Sequence, residues 1–200
     1  MARTGRPRAF DKDEKLATAL DVFWSRGYSA TSVQDLVDAL AVERGSLYAA
    51  FGDKRDLYLE AVKLYWREYE LQLIATLDEQ PILEALRWVL NNPAHIDDHA
   101  TEKGSPQGCL MGNTSAELVP RDAGARDVVA HSYGRFIDIL TEALRLAQER
   151  GEVVDTSSPA AQAQMLLFFV QGFSLVSRAG VDEGHSTAAV EAVIEALRAR

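Results

Sequence analysis

The sequence predicts an all-α protein of about nine helices, and three observations carry that prediction. Apolar residues recur at i, i+3, i+4 and i+7, as at Val33, Leu36, Val37 and Leu40. Helix starts and stops punctuate the chain at Gly27, Asp53, Pro81, Gly151 and Pro159. No stretch alternates with the period of two that a half-buried strand requires, and there is no internal repeat or low-complexity segment. With 200 residues, 47% hydrophobic and 26% charged, the chain has room for a small first module and a larger second one.

The elements follow in order. From Asp11 to Gly27, Leu16, Leu20, Phe23 and Trp24 form one stripe, and this first helix is expected to pack across the next two. Thr31 and Gln34 have the spacing of a capping box, in which both side chains satisfy free amides at a helix start. The stripe Val33 to Leu40 then gives a short second helix, and Ala41 and Val42 make a tight corner. A third short helix turns Leu47 and Phe51 inward and leaves Arg44, Gly45, Ser46 and Tyr48 outside. Two short helices on such a turn are a helix-turn-helix, whose second helix enters the DNA major groove. Gly45 supports this reading. Gly inside a helix costs about 1 kcal/mol against Ala, and close approach to another surface is a reason to accept it.

Asp53 caps a long fourth helix to about Leu77, with Leu57, Ala61, Leu64 and Tyr65 inward. Pro81 opens a fifth, with Ile82, Leu86, Val89 and Leu90 inward, closed by Asn91-Asn92-Pro93. Residues 93–107 are polar and punctuated by Gly and Pro, and read as a loop. A short sixth helix covers about Cys109–Leu118. A long seventh fits Ala123–Arg150, with Val129, Tyr133, Phe136, Ile137, Leu140, Leu144 and Ala147 on one stripe and Gly151 at its end. Pro159 opens an eighth, and His185–Arg200 holds a ninth, where Val190, Val193, Ile194 and Leu197 repeat. The eighth helix is apolar on every side from Met165 to Val170, with Phe173, Leu175 and Val176 beyond. It must therefore be covered all round, by its own core on one side and a second subunit on the other.

The segment Thr31–Lys54 resembles the DNA-binding domain of the tetracycline-repressor (TetR) family of bacterial transcription regulators. The matching residues are Thr31, Val33, Leu36, Val42, Gly45, Ser46, Leu47, Tyr48, Phe51 and Lys54, with Phe23, Gly27 and Tyr28 before them. Two positions depart from the family pattern. Ala41 stands where a turn Gly is usual, so a positive φ there would carry strain of about 1 kcal/mol. Glu43 stands where Ser or Thr often caps the recognition helix, and its charge would sit near phosphates. The resemblance implies a DNA-binding helix-turn-helix domain over 1–53 and a ligand-binding and dimerisation domain over 54–200. It implies a homodimer through helices eight and nine, whose two-fold symmetry suits paired half-sites on double-stranded operator DNA. By the same resemblance Thr31, Tyr48 and Lys54 would hold phosphates, and Arg44 would reach a base edge, with Gly45 and Ser46 on the same helix surface.

The net charge of −9 is unevenly spread. Residues 1–60 hold 9 Lys/Arg and 10 Asp/Glu, and residues 61–200 hold 12 and 20, so the acid lies away from the DNA module. Arg3, Arg6 and Arg8 form a short basic arm of the kind that enters a minor groove beside a recognition helix; the bland alternative is a solvated tail. No signal peptide and no run of 18 or more apolar residues is found, and the single cysteine, Cys109, suits a reducing cytoplasm.

For the second domain, Trp66, Tyr69, Trp88, Met111, Tyr133, Phe136 and Phe169 are candidates to line a small-molecule effector pocket between helices four to eight. Cys109 joins them. It lies in the string GCLMGN at a helix start, where a thiolate is favoured, and the string resembles a TetR subgroup with a Gly-Cys-Leu element, some of whose members respond to electrophiles or oxidants. The alternative is a small buried hydrophobe. His95 and His99 are four apart with Asp97 and Asp98 between them, but in so polar a loop they read as solvated, and no metal site is expected. There is no P-loop, dinucleotide fingerprint, zinc set or nucleophile elbow, so neither an enzyme nor a cofactor is expected.

Overall fold

The computed structural model describes residues 11–91, 108–177 and 183–199. Among them are nine α-helices and no strand, as expected: α1 Lys12–Arg26, α2 Val33–Leu40, α3 Arg44–Phe51, α4 Lys54–Glu79, α5 Ile82–Asn91, α6 Leu110–Glu117, α7 Ala123–Glu149, α8 Pro159–Ser177 and α9 Glu183–Leu197. The arm residues Arg3, Arg6 and Arg8, the segment 93–107 and its His95 and His99 lie outside the described residues.

Helix ends follow their local chemistry. The Asp11 carboxylate accepts from the amides of Asp13 and Glu14, and Gly27 closes α1 at φ 83°. The capping box of α2 is one residue away from its expected position. Ser32, not Thr31, caps the helix, and its partner is Asp35, not Gln34. Both pairs have the right spacing, but a carboxylate at the third position also complements the positive end of the helix dipole. Thr31 turns inward instead, fully buried, with its hydroxyl donating to Gly27 O at 2.7 Å. Asp53 and Asp56 form the second capping box, at the start of α4.

Leu36, Leu40, Leu47 and Phe51 bury α2 and α3 against Leu20, Phe23 and Trp24 of α1, which packs along the first turns of α4. The stripes on α4, α5, α7 and α9 are buried as expected, with Tyr133, Ile137 and Val193 only half-buried at the edges. Helix α8 lies along α7 in the most extensive helix pair among the described residues. Ala163, Leu166, Leu167 and Val170 face the core, while Met165, Phe168, Leu175 and Val176 face out. Phe168 is 70% exposed and Leu175 68%. Taken over both sides, Pro159–Val176 is long and apolar enough, by length and composition only, to cross a membrane. The inner side is committed to the core of the bundle.

Candidate nucleic-acid interface and effector cavity

Helix α3 stands at the surface, with Arg44, Gly45 and Tyr48 exposed and Ser46 half-buried. The corner before it is strained. Ala41 sits in the left-handed region at φ 50°, ψ 45°, the conformation a turn glycine would adopt freely. Glu43 precedes the helix without a side-chain capping bond, so the first α3 amides keep free donors pointing outward. The Arg44 guanidinium lies 5.7 Å from the centre of the Tyr48 ring and donates to the Tyr48 hydroxyl at 3.3 Å. A Cβ added at Gly45 would meet nothing within 4 Å, so the chain itself does not require glycine there. A flat surface pressed against the helix would.

Two of the residues assigned to phosphates are engaged inside the protein. Thr31 has no exposed surface to offer. Lys54 donates to the carbonyls of Tyr28 and Thr31, each at 2.8 Å, and its ammonium lies 4.1 Å above the Tyr28 ring. Two of its three donors are thus used to tie the α1–α2 loop to the start of α4.

The second site is a narrow cleft between α4, α6, α7 and α8, partly open to solvent, with a cavity of about 20 Å³, room for about one water. Its lining is Tyr65, Trp66, Tyr69, Cys109, Met111, Tyr133, Phe136, Leu167, Val170 and Gln171. Six of the residues expected there are present. Trp88 and Phe169 are not: Trp88 stacks 6.4 Å from Tyr69 one layer away, and Phe169 stacks 6.0 Å from Phe173. Tyr65, Leu167, Val170 and Gln171 were legible only as core or polar positions.

Most polar groups of the cleft satisfy one another. Tyr133 donates to Gln171 Oε1 at 3.0 Å and shares a 3.2 Å bond with Ser115, and burial pushes its hydroxyl up to about 12. The Tyr65 hydroxyl and the Gln171 amide both approach Cys109 Sγ at 3.7 Å, and the Cys109 amide donates to Ser174 at 2.7 Å. Gly112 permits this arrangement, since a Cβ there would come within 2.8 Å of Gln171 Oε1. Cys109 lies just before α6, as expected, but it is buried. Two atoms stand apart. Among the described residues, Trp66 Nε1 and the Tyr69 hydroxyl are buried with no hydrogen-bond partner, a condition that costs about 1–3 kcal/mol per group.

Helix α6 connects the two sites. Cys109 and Met111 line the cleft, Thr114 bonds the buried Tyr58 hydroxyl of α4 at 2.9 Å, and Glu117 reaches the loop after α1. There its carboxylate accepts from the amides of Tyr28 at 3.0 Å and Ser29 at 2.9 Å. Partial burial opposes ionisation of Glu117, but these donors, with Lys54 nearby, outweigh it and hold its carboxyl below the ordinary range. Alongside, Arg55 and Asp122 form a two-pronged ion pair that holds the Asp122 carboxyl far below its usual range. The Trp24 indole donates to Gly108 O at 2.7 Å. No local pattern marks Glu117 in the sequence, because its partners lie 88 and 89 residues away.

Comparison with known proteins agrees with this layout. Residues 16–61 match the family model described as bacterial regulatory proteins, tetR family, and residues 85–193 match the tetracyclin repressor-like C-terminal domain. The chain is 31% identical over 178 residues to the HTH-type transcriptional repressor ComR of Escherichia coli (strain K12), covering 88% of this chain and 83% of that protein. A cysteine mutant of the TetR family regulator CifR, solved in complex with 26 bp double-strand operator DNA, superposes with a TM-score of 0.79 at 29% identity, covering 96% of this chain and 100% of that one. The reduced form of E. coli NemR shares the fold at a TM-score of 0.80 and 22% identity, over 94% and 97% of the two chains.

Proposed function

This chain belongs to the tetR family of bacterial regulatory proteins, and we propose that it is a homodimeric transcriptional repressor released from its operator by a small-molecule effector in the α4–α8 cleft. The observation that carries the reading is the exposed Arg44–Tyr48 face of α3, carried on a helix-turn-helix within the matched family segment. ComR is named a repressor, and CifR was solved on operator DNA; both support the same role here, in the bacterial cytoplasm where operators are found.

Dimerisation is supported by the outer faces of α8 and α9. Met165, Phe168, Leu175 and Val176 on α8 stand beside exposed Ala188, Ala189, Ala192 and Ala196 on α9. Large apolar side chains on one helix and small ones on the next suit a four-helix contact between two copies. We take residues 1–53 as the DNA-reading unit and 54–200 as the unit that senses and pairs.

The release mechanism follows from connectivity. Helix α4 starts at Lys54, just after α3, and carries Tyr65, Trp66 and Tyr69 into the cleft. Helix α6 runs from the cleft to the Glu117 contact. An effector that spreads these helices would alter the separation of the two recognition helices. A change of about 2–3 Å against a half-site spacing of about 34–36 Å would weaken many contacts together. A covalent alternative, modification of Cys109, has one supporting observation: the thiol lines the same cleft.

The test is recovery of bound fragments from genomic DNA, then titration of the recovered site with the protein by fluorescence anisotropy. Saturable, sequence-selective binding that falls when a cleft ligand is added supports the reading. Binding that no cleft ligand alters overturns effector release.

A further inference from the structure

We infer that the effector cleft, opening as it fills, takes a neutral, flat, largely apolar molecule bearing a hydrogen-bond-accepting oxygen of the carbonyl kind, which accepts from the Trp66 indole N–H or the Tyr69 hydroxyl. The inference rests on the proposed effector role of the cleft and gives its ligand a chemical class.

The cleft selects first by charge. Among the described residues, none of the ten that line it is Asp, Glu, Lys, Arg or His, so an ionised ligand would lose its hydration without finding a counter-charge on these walls. It selects next by shape. Tyr69 lies parallel to Phe136 at 6.4 Å and tilted against Trp66 at 5.8 Å, and such ring walls favour a flat apolar guest.

The polar requirement is the most specific. Tyr133, Gln171 and Tyr65 already have partners on Ser115, Cys109 and one another. Trp66 and Tyr69 are 7% and 5% exposed, both line the cleft, and the polar atom of each is unpartnered among the described residues. An indole N–H can only donate, so its missing partner must be an acceptor. The two residues lie three apart on α4, on one face of the helix, so a guest that parts the cleft beside them brings its oxygen within reach of this face, where a carbonyl can accept from either donor. A pure hydrocarbon would leave both donors unpaired, which makes the oxygen a determinant of binding.

Calorimetry on the full chain with acetophenone, ethylbenzene and benzoate separates these features, since the three differ at one position of a shared ring. Acetophenone is expected to bind at least tenfold more tightly than ethylbenzene, and benzoate not to bind. In Tyr69→Phe, and independently in Trp66→Phe, the preference for acetophenone over ethylbenzene should shrink severalfold. Equal binding of ketone and hydrocarbon by the unaltered protein overturns the inference, as does a preference that survives in both variants, or failure of all three probes to bind. If acetophenone binds as described but operator affinity stays constant, the ligand class stands and the effector role fails.

Discussion

Glu117 accepts the backbone N–H of Tyr28 at 3.0 Å, across 89 residues of sequence, and joins the last turn of α6 to the loop that precedes the helix-turn-helix. The same carboxylate takes the Ser29 amide, and from the other side Lys54 holds the Tyr28 and Thr31 carbonyls. The loop between α1 and α2 is therefore fastened by one anion and one cation, each from a helix that also faces or leads into the α4–α8 cleft.

Replacing that anion should loosen the connection. Glu117→Ala leaves two loop amides without their acceptor and is expected to cost about 1–3 kcal/mol of stability, read as a lower midpoint in urea unfolding. Operator affinity should also become less responsive to ligand. A variant with unchanged stability and unchanged ligand response would remove Glu117 from the coupling.

Acid should act through the same contacts. The carboxyls of Glu117 and Asp122 are both held below their ordinary values, so the stability they supply is present above the ordinary carboxylate range and lost as pH falls through their folded values. Stability measured from pH 6 downward should fall more steeply in the wild type than in a Glu117→Gln, Asp122→Asn double variant. Parallel curves would contradict the assignment.

Arg44 and Lys54 should separate two kinds of DNA effect. Arg44→Ala is expected to cost about 1–3 kcal/mol in operator affinity and to relax preference at one position per half-site. Lys54→Met should lower thermal stability, because two carbonyls lose their donor, and should weaken binding to all sequences through that loss. An unaltered sequence preference in Arg44→Ala would exclude it from base reading.

Phe168 gives the test of assembly. At 70% exposure it projects from the outer face of α8, whereas Phe173, on the same helix, is half-buried. Phe168→Glu would bury an unpaired charge in the proposed contact between copies, at a cost of several kcal/mol, and should yield monomers or insoluble protein by light scattering. A soluble dimer from this variant would put the contact elsewhere.

Cys109→Ser addresses the covalent alternative. The thiol is buried between Tyr65 and Gln171, so noncovalent release by a cleft ligand should persist in the variant with affinity changed less than about threefold. Complete loss of release would make Cys109 the sensing group.

Much of this arrangement was legible in the sequence because it is periodic. The stripes of α1, α4, α5 and α7, the stops at Gly27 and Gly151 and the strained Ala41 corner all follow from spacing and residue type. The α2 cap was ambiguous because Thr31/Gln34 and Ser32/Asp35 share a spacing, and only the packing of Thr31 against Gly27 decides between them. Periodicity also shows that Trp88 and Phe169 are partly buried without showing which layer they enter. That depends on how each helix is rotated about its axis, so spacing alone points both at a cleft they do not line. Glu117, Gln171 and the roles of Lys54 were invisible for a different reason: their partners are distant in sequence, and nothing local marks them.

The most direct test of the regulator reading is a cleavage-protection footprint on the DNA upstream of the chain's own gene. The account predicts a protected site with two symmetry-related halves about one helical turn apart, lost when a cleft ligand is added and narrowed in sequence preference by Arg44. Uniform retardation of every fragment, or no protection at any concentration that saturates control DNA, would contradict it.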